Sequence, residues 1–106
     1  PVSAFALAEL GPLPPEALVI NATSLGLKAE DPCPLPGNLE ASHRVYDMTY
    51  GCANALAAKA REAGARYADG LGMLVWQGQR ALERWTGVPV PAWPMREAAR
   101  SAAGLS

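Results

Sequence analysis

Long apolar runs are missing from this sequence. Nothing in it approaches the roughly 18 consecutive apolar residues that a bilayer-spanning helix needs, and no charged segment leads into a hydrophobic stretch at its start. The expectation is therefore a soluble, cytoplasmic protein with no membrane partner. Histidine and cysteine are almost absent: His43 is alone, and Cys33 and Cys52 are too far apart for a CxxC pair and too few for a disulfide framework. Ordinary reduced thiols and no metal are expected, since Asp, Glu and Cys show no ligand spacing around His43. Excess charge of one sign is lacking as well, nine basic residues facing ten acidic ones for a net charge of −1. Without a basic stripe interleaved with aromatics, nucleic acid is not an expected partner. What remains is a chain of 106 residues, half of them hydrophobic, enough for one core of modest size or for part of a domain. It starts at Pro1 without a methionine and its first readable element is already in mid-pattern, so a fragment or processed chain is expected.

The most informative stretch is Asp69-Gly70-Leu71-Gly72-Met73-Leu74-Val75-Trp76-Gln77. It reads as a loop that enters an amphipathic helix running to about Thr86 and stopped by Gly87. Leu71, Leu74, Val75, Leu82 and Trp85 fall on one side at helical spacing and make the expected core face. Gly70, Met73 and Gln77 share a neighbouring face. A residue without Cβ, then a thioether, then an amide would suit a wall against which a flat ligand lies. The alternative is a buried helix with one satisfied glutamine.

Taken in order, Val2 to Phe5 reads as a short strand, or Phe5 to Leu10 as a short helix ended by Gly11 and Pro12. Periodicity does not separate the two. After the prolines, Ala17-Leu18-Val19-Ile20 has the composition of a strand buried on both faces of a parallel sheet. It runs into Asn21-Ala22-Thr23-Ser24-Leu25-Gly26, small and hydroxyl residues at the carboxyl end of a strand, where ligands sit in open parallel sheets. The same residues also make ordinary turns. Residues 28 to 42, with three prolines, read as a surface excursion without a regular element. Arg44-Val45-Tyr46-Asp47 is a second strand, followed by Met48-Thr49-Tyr50-Gly51; Tyr50 either aims its hydroxyl at a ligand or caps the sheet edge. Asn54 suits the N-cap of a helix from about Ala55 to Ala63, which Gly64 ends. Arg66-Tyr67-Ala68 is a third strand. Val88 to Pro91 is extended because residues before proline avoid the helical region. Pro94 belongs in the first turn of a last helix whose stripe of Met95, Ala98, Ala99 and Ala102 is thin and must dock on something. Strand and helix alternate through short loops, which predicts an α/β fold with a parallel sheet and right-handed crossovers.

Three stretches together carry a family resemblance: Val19-Ile20-Asn21-Ala22-Thr23-Ser24-Leu25-Gly26, Val45-Tyr46-Asp47-Met48-Thr49-Tyr50, and Asp69 to Gln77 with Trp85-Thr86-Gly87. In this order and spacing, from about Leu18 to Ala103, the chain resembles the carboxyl-terminal half of shikimate dehydrogenase. The resemblance implies part of a Rossmann-like parallel sheet flanked by helices, within a two-domain enzyme whose active site lies between a substrate domain and a dinucleotide-binding domain. Residues 1–92 would be the carboxyl-terminal portion of the dinucleotide-binding domain. Residues 93–106 would be a terminal helix and tail, the helix docking on a missing substrate domain. The implied activity is NADPH-dependent reduction of 3-dehydroshikimate to shikimate in aromatic amino-acid biosynthesis, hydride passing from nicotinamide to the ring carbonyl. The implied cofactor neighbours are Thr23, Ser24, Met48, Gly70 and Met73, with Met48 and Gly70 acting through their backbones. The implied substrate contacts are Tyr50 and Gln77, toward shikimate or 3-dehydroshikimate.

Several parts of the family pattern are missing. Nothing matches its catalytic lysine and aspartate, Lys28 and Lys59 standing in the wrong contexts. There is no GxGxxG-like loop and no basic cluster for a 2′-phosphate. Where the family commonly has a proline two residues after the tyrosine and a threonine beyond it, this sequence has Cys52 and Ala53-Asn54 in a shorter loop. The expectation is a piece that does not turn over alone and that, with an unpaired sheet edge, joins its missing amino-terminal domain or itself. The alternatives are a quinate or shikimate dehydrogenase using NAD, and a half-Rossmann interaction module without catalysis. Retention of Tyr50 and Gln77 favours the enzyme.

Overall fold

The computed structural model describes residues 2–51 and 53–104, so expectations about Cys52 and about both chain ends fall outside the described residues. Its frame is a three-stranded, all-parallel sheet in the order β1 (Leu18–Asn21), β2 (Arg44–Asp47), β3 (Arg66–Ala68). Val19 stands opposite Val45 and Val45 opposite Tyr67, while Asn21 stands opposite Asp47. Because side chains alternate along a strand, Val19, Val45 and Tyr67 share one face and Ile20, Tyr46 and Ala68 the other.

The helices form where local chemistry dictates. Helix α1 spans Ala55–Ala63, starts with the Asn54 side chain accepting from the Ala57 amide, and ends at Gly64 in the left-handed region at φ 74°. Helix α2 spans Leu71–Thr86 and ends at Gly87, φ 73°. Helix α3 spans Trp93–Ala102 with Pro94 in its first turn. The amino-terminal ambiguity resolves toward helix, as a single 3-10 turn over Leu7–Glu9 in which Glu9 Oε1 accepts from the Ala6 amide at 3.2 Å.

The core is built on one face of the sheet. Leu56 and Ala60 of α1 pack with Val45, and Leu35 and Leu39 complete the cluster, with Val19 and Tyr67 against it. Two expectations are corrected here. Residues 28 to 42 are irregular, but Pro34, Leu35 and Leu39 are buried, so the excursion fills the core where a crossover helix would otherwise stand. Lys59 fastens it, donating from Nζ to the carbonyls of Leu35 at 2.7 Å and Gly37 at 2.6 Å. Secondly, β1 is not buried on both faces: Leu18 and Ile20 remain 58% and 57% exposed. The α1 layer covers the Val19 side; on the other side β1 is open at Leu18 and Ile20, while Tyr46 of β2 is half-buried.

Helix α3 docks on α2, and a Cβ placed on Gly78 would stand 3.5 Å from Met95 Sδ. The predicted core face of α2 is right only in its first turns. Leu71 and Val75 are buried and Leu82 is half-buried, while Leu74 is partly exposed and Trp85, in the last turn, is 82% exposed. Among the described residues nothing lies over Trp85.

Candidate functional site

Because all three strands run parallel, the segments that leave them converge on one edge. Thr23 and Ser24 follow β1, Met48 and Tyr50 follow β2, and Gly70 follows β3 into α2. Open parallel sheets place ligands outside this carboxyl edge. Met73 and Gln77 lie one and two turns along α2 from Gly70. Met48, Tyr50 and Met73 are each a little over one-third exposed, Gln77, Thr23 and Ser24 are exposed, and Gly70 is buried. Thr23, Ser24, Met48, Tyr50 and Gly70 thus follow the carboxyl ends of the strands, and Met73 and Gln77 belong to the helix that leaves that edge. The reading of Gln77 as a buried, satisfied glutamine does not hold; the glutamine that is engaged is Gln79, whose Nε2 donates to the Val90 carbonyl at 2.6 Å.

Thr23 is committed to its turn. Its hydroxyl donates to Asn21 Oδ1 at 2.6 Å and accepts from the Leu25 amide at 3.1 Å, while its own amide also donates to Asn21 Oδ1. The Asn21-to-Gly26 stretch is therefore turn chemistry, set at the carboxyl edge of the sheet. Gly26 closes it at φ 117°, where a Cβ would lie 2.9 Å from Asn54 Nδ2 and 3.0 Å from Thr49 Oγ1. Conformation and close approach both require glycine there.

Gly70 makes a tighter contact. A Cβ on it would stand 2.4 Å from the Met48 carbonyl oxygen and 2.8 Å from its carbon, while the Gly70 amide donates to the Thr49 carbonyl at 3.0 Å. The entrance of α2 is thereby locked to the chain leaving β2. Beside it, Asp69 Oδ1 accepts from the Leu71 amide at 3.1 Å.

Behind this edge lies a polar cluster that reading the sequence did not assemble. Asp47 is fully buried and its carboxylate collects five donors. Oδ1 accepts from Asn21 Nδ2 at 3.0 Å, the Thr49 amide at 3.0 Å and the Thr49 hydroxyl at 2.8 Å. Oδ2 accepts from Asn54 Nδ2 at 3.1 Å and the Tyr67 hydroxyl at 2.8 Å. Burial by itself would raise the Asp47 pKa, but the hydrogen bonds from Thr49, Tyr67 and Asn21 outweigh it and hold the carboxyl below its ordinary value. The Tyr67 phenol moves the other way, pushed well up by burial and by the carboxylate it serves. Among the described residues no buried side-chain nitrogen or oxygen lacks a partner. A signal for this cluster was present in the sequence: Asn21 and Asp47 lie two residues beyond Val19 and Val45, so each points to the covered face of its strand.

Other candidates fall away. Lys59 is held by loop carbonyls rather than facing the edge. His43 is buried just before the start of β2, at the opposite end of the strand from the site, its Nδ1 accepting from the Glu40 amide and its Nε2 bonded to the Pro14 carbonyl at 3.0 Å. No cluster of three metal-ligating side chains occurs among the described residues, and no described helix is long and apolar enough to cross a membrane. A largely apolar cavity of about 260 Å³ lies beside β1, lined by Leu7, Leu10, Leu13, Leu18 and Ile20 and reaching Thr23.

Comparison with known proteins bears on this geometry. Residues 70–100 match the family model of the Shikimate 5'-dehydrogenase C-terminal domain. The shikimate dehydrogenase (NADP(+)) of Methanothrix thermoacetophila is 43% identical over 88 residues, which cover 82% of this chain and 33% of that protein. The crystal structure of shikimate 5-dehydrogenase from Listeria monocytogenes, in complex with shikimate and NAD, matches with a TM-score of 0.68 at 34% identity. That match covers 76% of this chain and 29% of the other. A crystal structure of a shikimate dehydrogenase in complex with NADP+ matches with a TM-score of 0.71 at 27% identity, over 82% of this chain and 32% of its own. This chain spans about a third of the length of the curated relatives it matches. The resemblance read from the three motifs holds, and the parallel α/β fold is that of these neighbours.

Proposed function

We infer that this chain, a carboxyl-terminal stretch of the shikimate dehydrogenase family, supplies the nicotinamide end of the cofactor site and one wall of the substrate site in an NADP-dependent shikimate dehydrogenase. The activity of the whole would be the NADPH-dependent reduction of 3-dehydroshikimate to shikimate and its reverse. The observation that carries this reading is the convergence of Thr23, Ser24, Met48, Tyr50 and Gly70 at the carboxyl edge of a parallel sheet, in a chain whose relatives bear that name.

The residues present fit one end of a dinucleotide. The Met48–Gly70 contact leaves no side chain between two stretches of backbone. Backbone atoms of Met48 and Gly70, with the Met73 thioether one turn on, would hold a flat nicotinamide; Thr23 and Ser24 would border it. When bound, the cofactor supplies the hydride. Tyr50 and Gln77 would hydrogen-bond the substrate's hydroxyl or carboxylate groups and orient its ring. A lysine and an aspartate to handle the proton are not contributed by the matching residues, so they would come from an amino-terminal domain. Residues 1–92 would then close the dinucleotide-binding domain and residues 93–106 would form its terminal helix and tail. The 106 residues alone would be inactive, and the uncovered Leu18–Ile20 face and open edge of β1 would join that domain or a second copy.

One observation favours a second reading: the Listeria relative was crystallised with NAD. No residue of this chain has been assigned to the 2′-phosphate, so use of NAD is the alternative cofactor choice. The deciding experiment measures the intact mass of the protein as isolated and then its NADP+- and NAD+-dependent oxidation of shikimate. Activity in a protein of greater mass, with Tyr50→Phe and Gln77→Leu each lowering kcat/KM by roughly tenfold, is the expected result. Undiminished activity in both variants, or a longer protein inactive on shikimate with either cofactor, would overturn the reading. Full activity from 106 residues alone would overturn the division of labour.

A further inference from the structure

Residues at the ends of three different strands can face one ligand only if the three connecting segments keep a fixed relation to one another. In this chain the side-chain ties between those segments pass through Asp47 or Thr49, beside a backbone bond from the Met48 amide to the Asn21 carbonyl. From β1, Asn21 donates to Asp47 and also to the Leu25 carbonyl, and its Oδ1 anchors Thr23. From β2, Thr49 folds its amide and hydroxyl back onto Asp47, and this fixes the backbone between Met48 and Tyr50. From β3, the entrance to α2 hangs on the Thr49 carbonyl through the Gly70 amide. Gly26 leaves no room for a Cβ against Thr49 Oγ1 and Asn54 Nδ2, so the loop from β1 closes over these two side chains.

We propose that Asp47, acting together with Thr49, is a positioning residue of this site: a buried carboxylate hub that sets the segments bearing Thr23, Met48, Tyr50 and Gly70 relative to one another. It rests on the function proposed above, because those segments are the ones that would border cofactor and substrate. A carboxylate suits the task because it is an acceptor only, and every group aimed at it is a donor. An amide in its place would turn an NH2 toward donors on one side. The arrangement is also out of reach of a ligand, since Asp47 is fully buried, so its influence runs through the loops and not through contact.

The test uses the protein as isolated and its NADP+-dependent oxidation of shikimate. Thr49→Val removes the hydroxyl with little change in shape, and Thr49→Ser restores it. Thr49→Val is expected to lower kcat by roughly tenfold to a hundredfold and to raise the KM for shikimate, because small misplacements of reacting groups are costly. Thr49→Ser is expected to recover most of both. Asp47→Asn should behave as Thr49→Val or worse; if it does not fold, the Thr49 pair decides. Lys59→Met, which cuts two hydrogen bonds on the α1 side, should lose stability while kcat and KM stay as they were. Wild-type kcat and KM in folded Thr49→Val, or a Thr49→Ser as impaired as Thr49→Val, would overturn the positioning role. A wild-type protein that does not oxidise shikimate would instead remove the functional reading and this inference with it.

Discussion

Alanine at position 70 is expected to destabilise the protein, while alanine two residues further on is expected to stabilise it. The backbone at Gly70, φ −83° and ψ 3°, is open to any residue, so conformation is not the obstacle. Space is. The new Cβ would stand 2.4 Å from the Met48 carbonyl oxygen, and contacts under 3.0 Å do not occur, so one partner must retreat by at least about 0.6 Å. Neither is free to do so, since the Met48 amide is bonded to the Asn21 carbonyl at 3.0 Å and the Gly70 amide to the Thr49 carbonyl at 3.0 Å. Overpacking of this kind costs about 1–3 kcal/mol. The smaller conformational freedom of alanine in the unfolded chain returns only about 0.4–1 kcal/mol of it. Gly72 is exposed within α2 with nothing within 4 Å of its added Cβ, so there the gain stands alone at about 0.5–1 kcal/mol. Urea unfolding of both variants, with unchanged m-values, measures the two signs side by side. An unchanged or higher midpoint for Gly70→Ala, or a fall for Gly72→Ala that equals it, would refute the steric reading. Shikimate oxidation should also fall in Gly70→Ala, since the displaced segment bears Met48 and leads into Tyr50.

Asn54 both caps α1 and donates to Asp47, so Asn54→Ala should cost about 2 kcal/mol, against about 1 for a cap alone. Asn54→Asp keeps the cap yet sets a carboxylate oxygen about 3.1 Å from Asp47 Oδ2; it should be the less stable variant at neutral pH and regain ground on mild acidification, as urea midpoints would show. Asp47 predicts acid lability of definite sign. Its folded pKa lies below the unfolded value of about 3.9, so the unfolded chain binds more protons in that window. The stability it contributes is then complete above that value and lost as pH falls through the folded pKa. Urea midpoints below about pH 4 should fall more steeply in the wild type than in Asp47→Asn, and equal slopes would contradict the assignment. A residual slope is expected from Asp31, lowered by the Gly26 and Lys28 amides. Lys59→Met should cost about 1 kcal/mol and expose the loop around Leu35 and Gly37 to proteolysis; unchanged cleavage rates there would count against the clamp.

Local chemistry by itself determined the elements of this chain. The N-cap at Asn54, the left-handed glycines at 64 and 87 and the proline at 94 each act within a turn of their own position, and the helix boundaries fall where those residues place them. The segments that carry the candidate site residues were legible for a related reason, each being a contiguous motif at a strand end or in the first turns of α2. Tertiary structure decided what depends on partners distant in the chain. Leu35 and Leu39 lie in a segment that reads as surface, yet they are core because β1 and β2 leave a gap that no helix fills. Leu18 and Ile20 have the composition of a buried strand and stay exposed because they lie at the edge strand β1, which packs through its Val19 side. The meaning of Asp47 was hidden in the same way: its donors come from residues 21, 49, 54 and 67, and only the parallel register of β1, β2 and β3 sets them around one carboxylate. Sequence spacing records the period of a strand or helix, whereas a hydrogen-bonded hub depends on which strand ends lie side by side, which is settled only when the sheet forms.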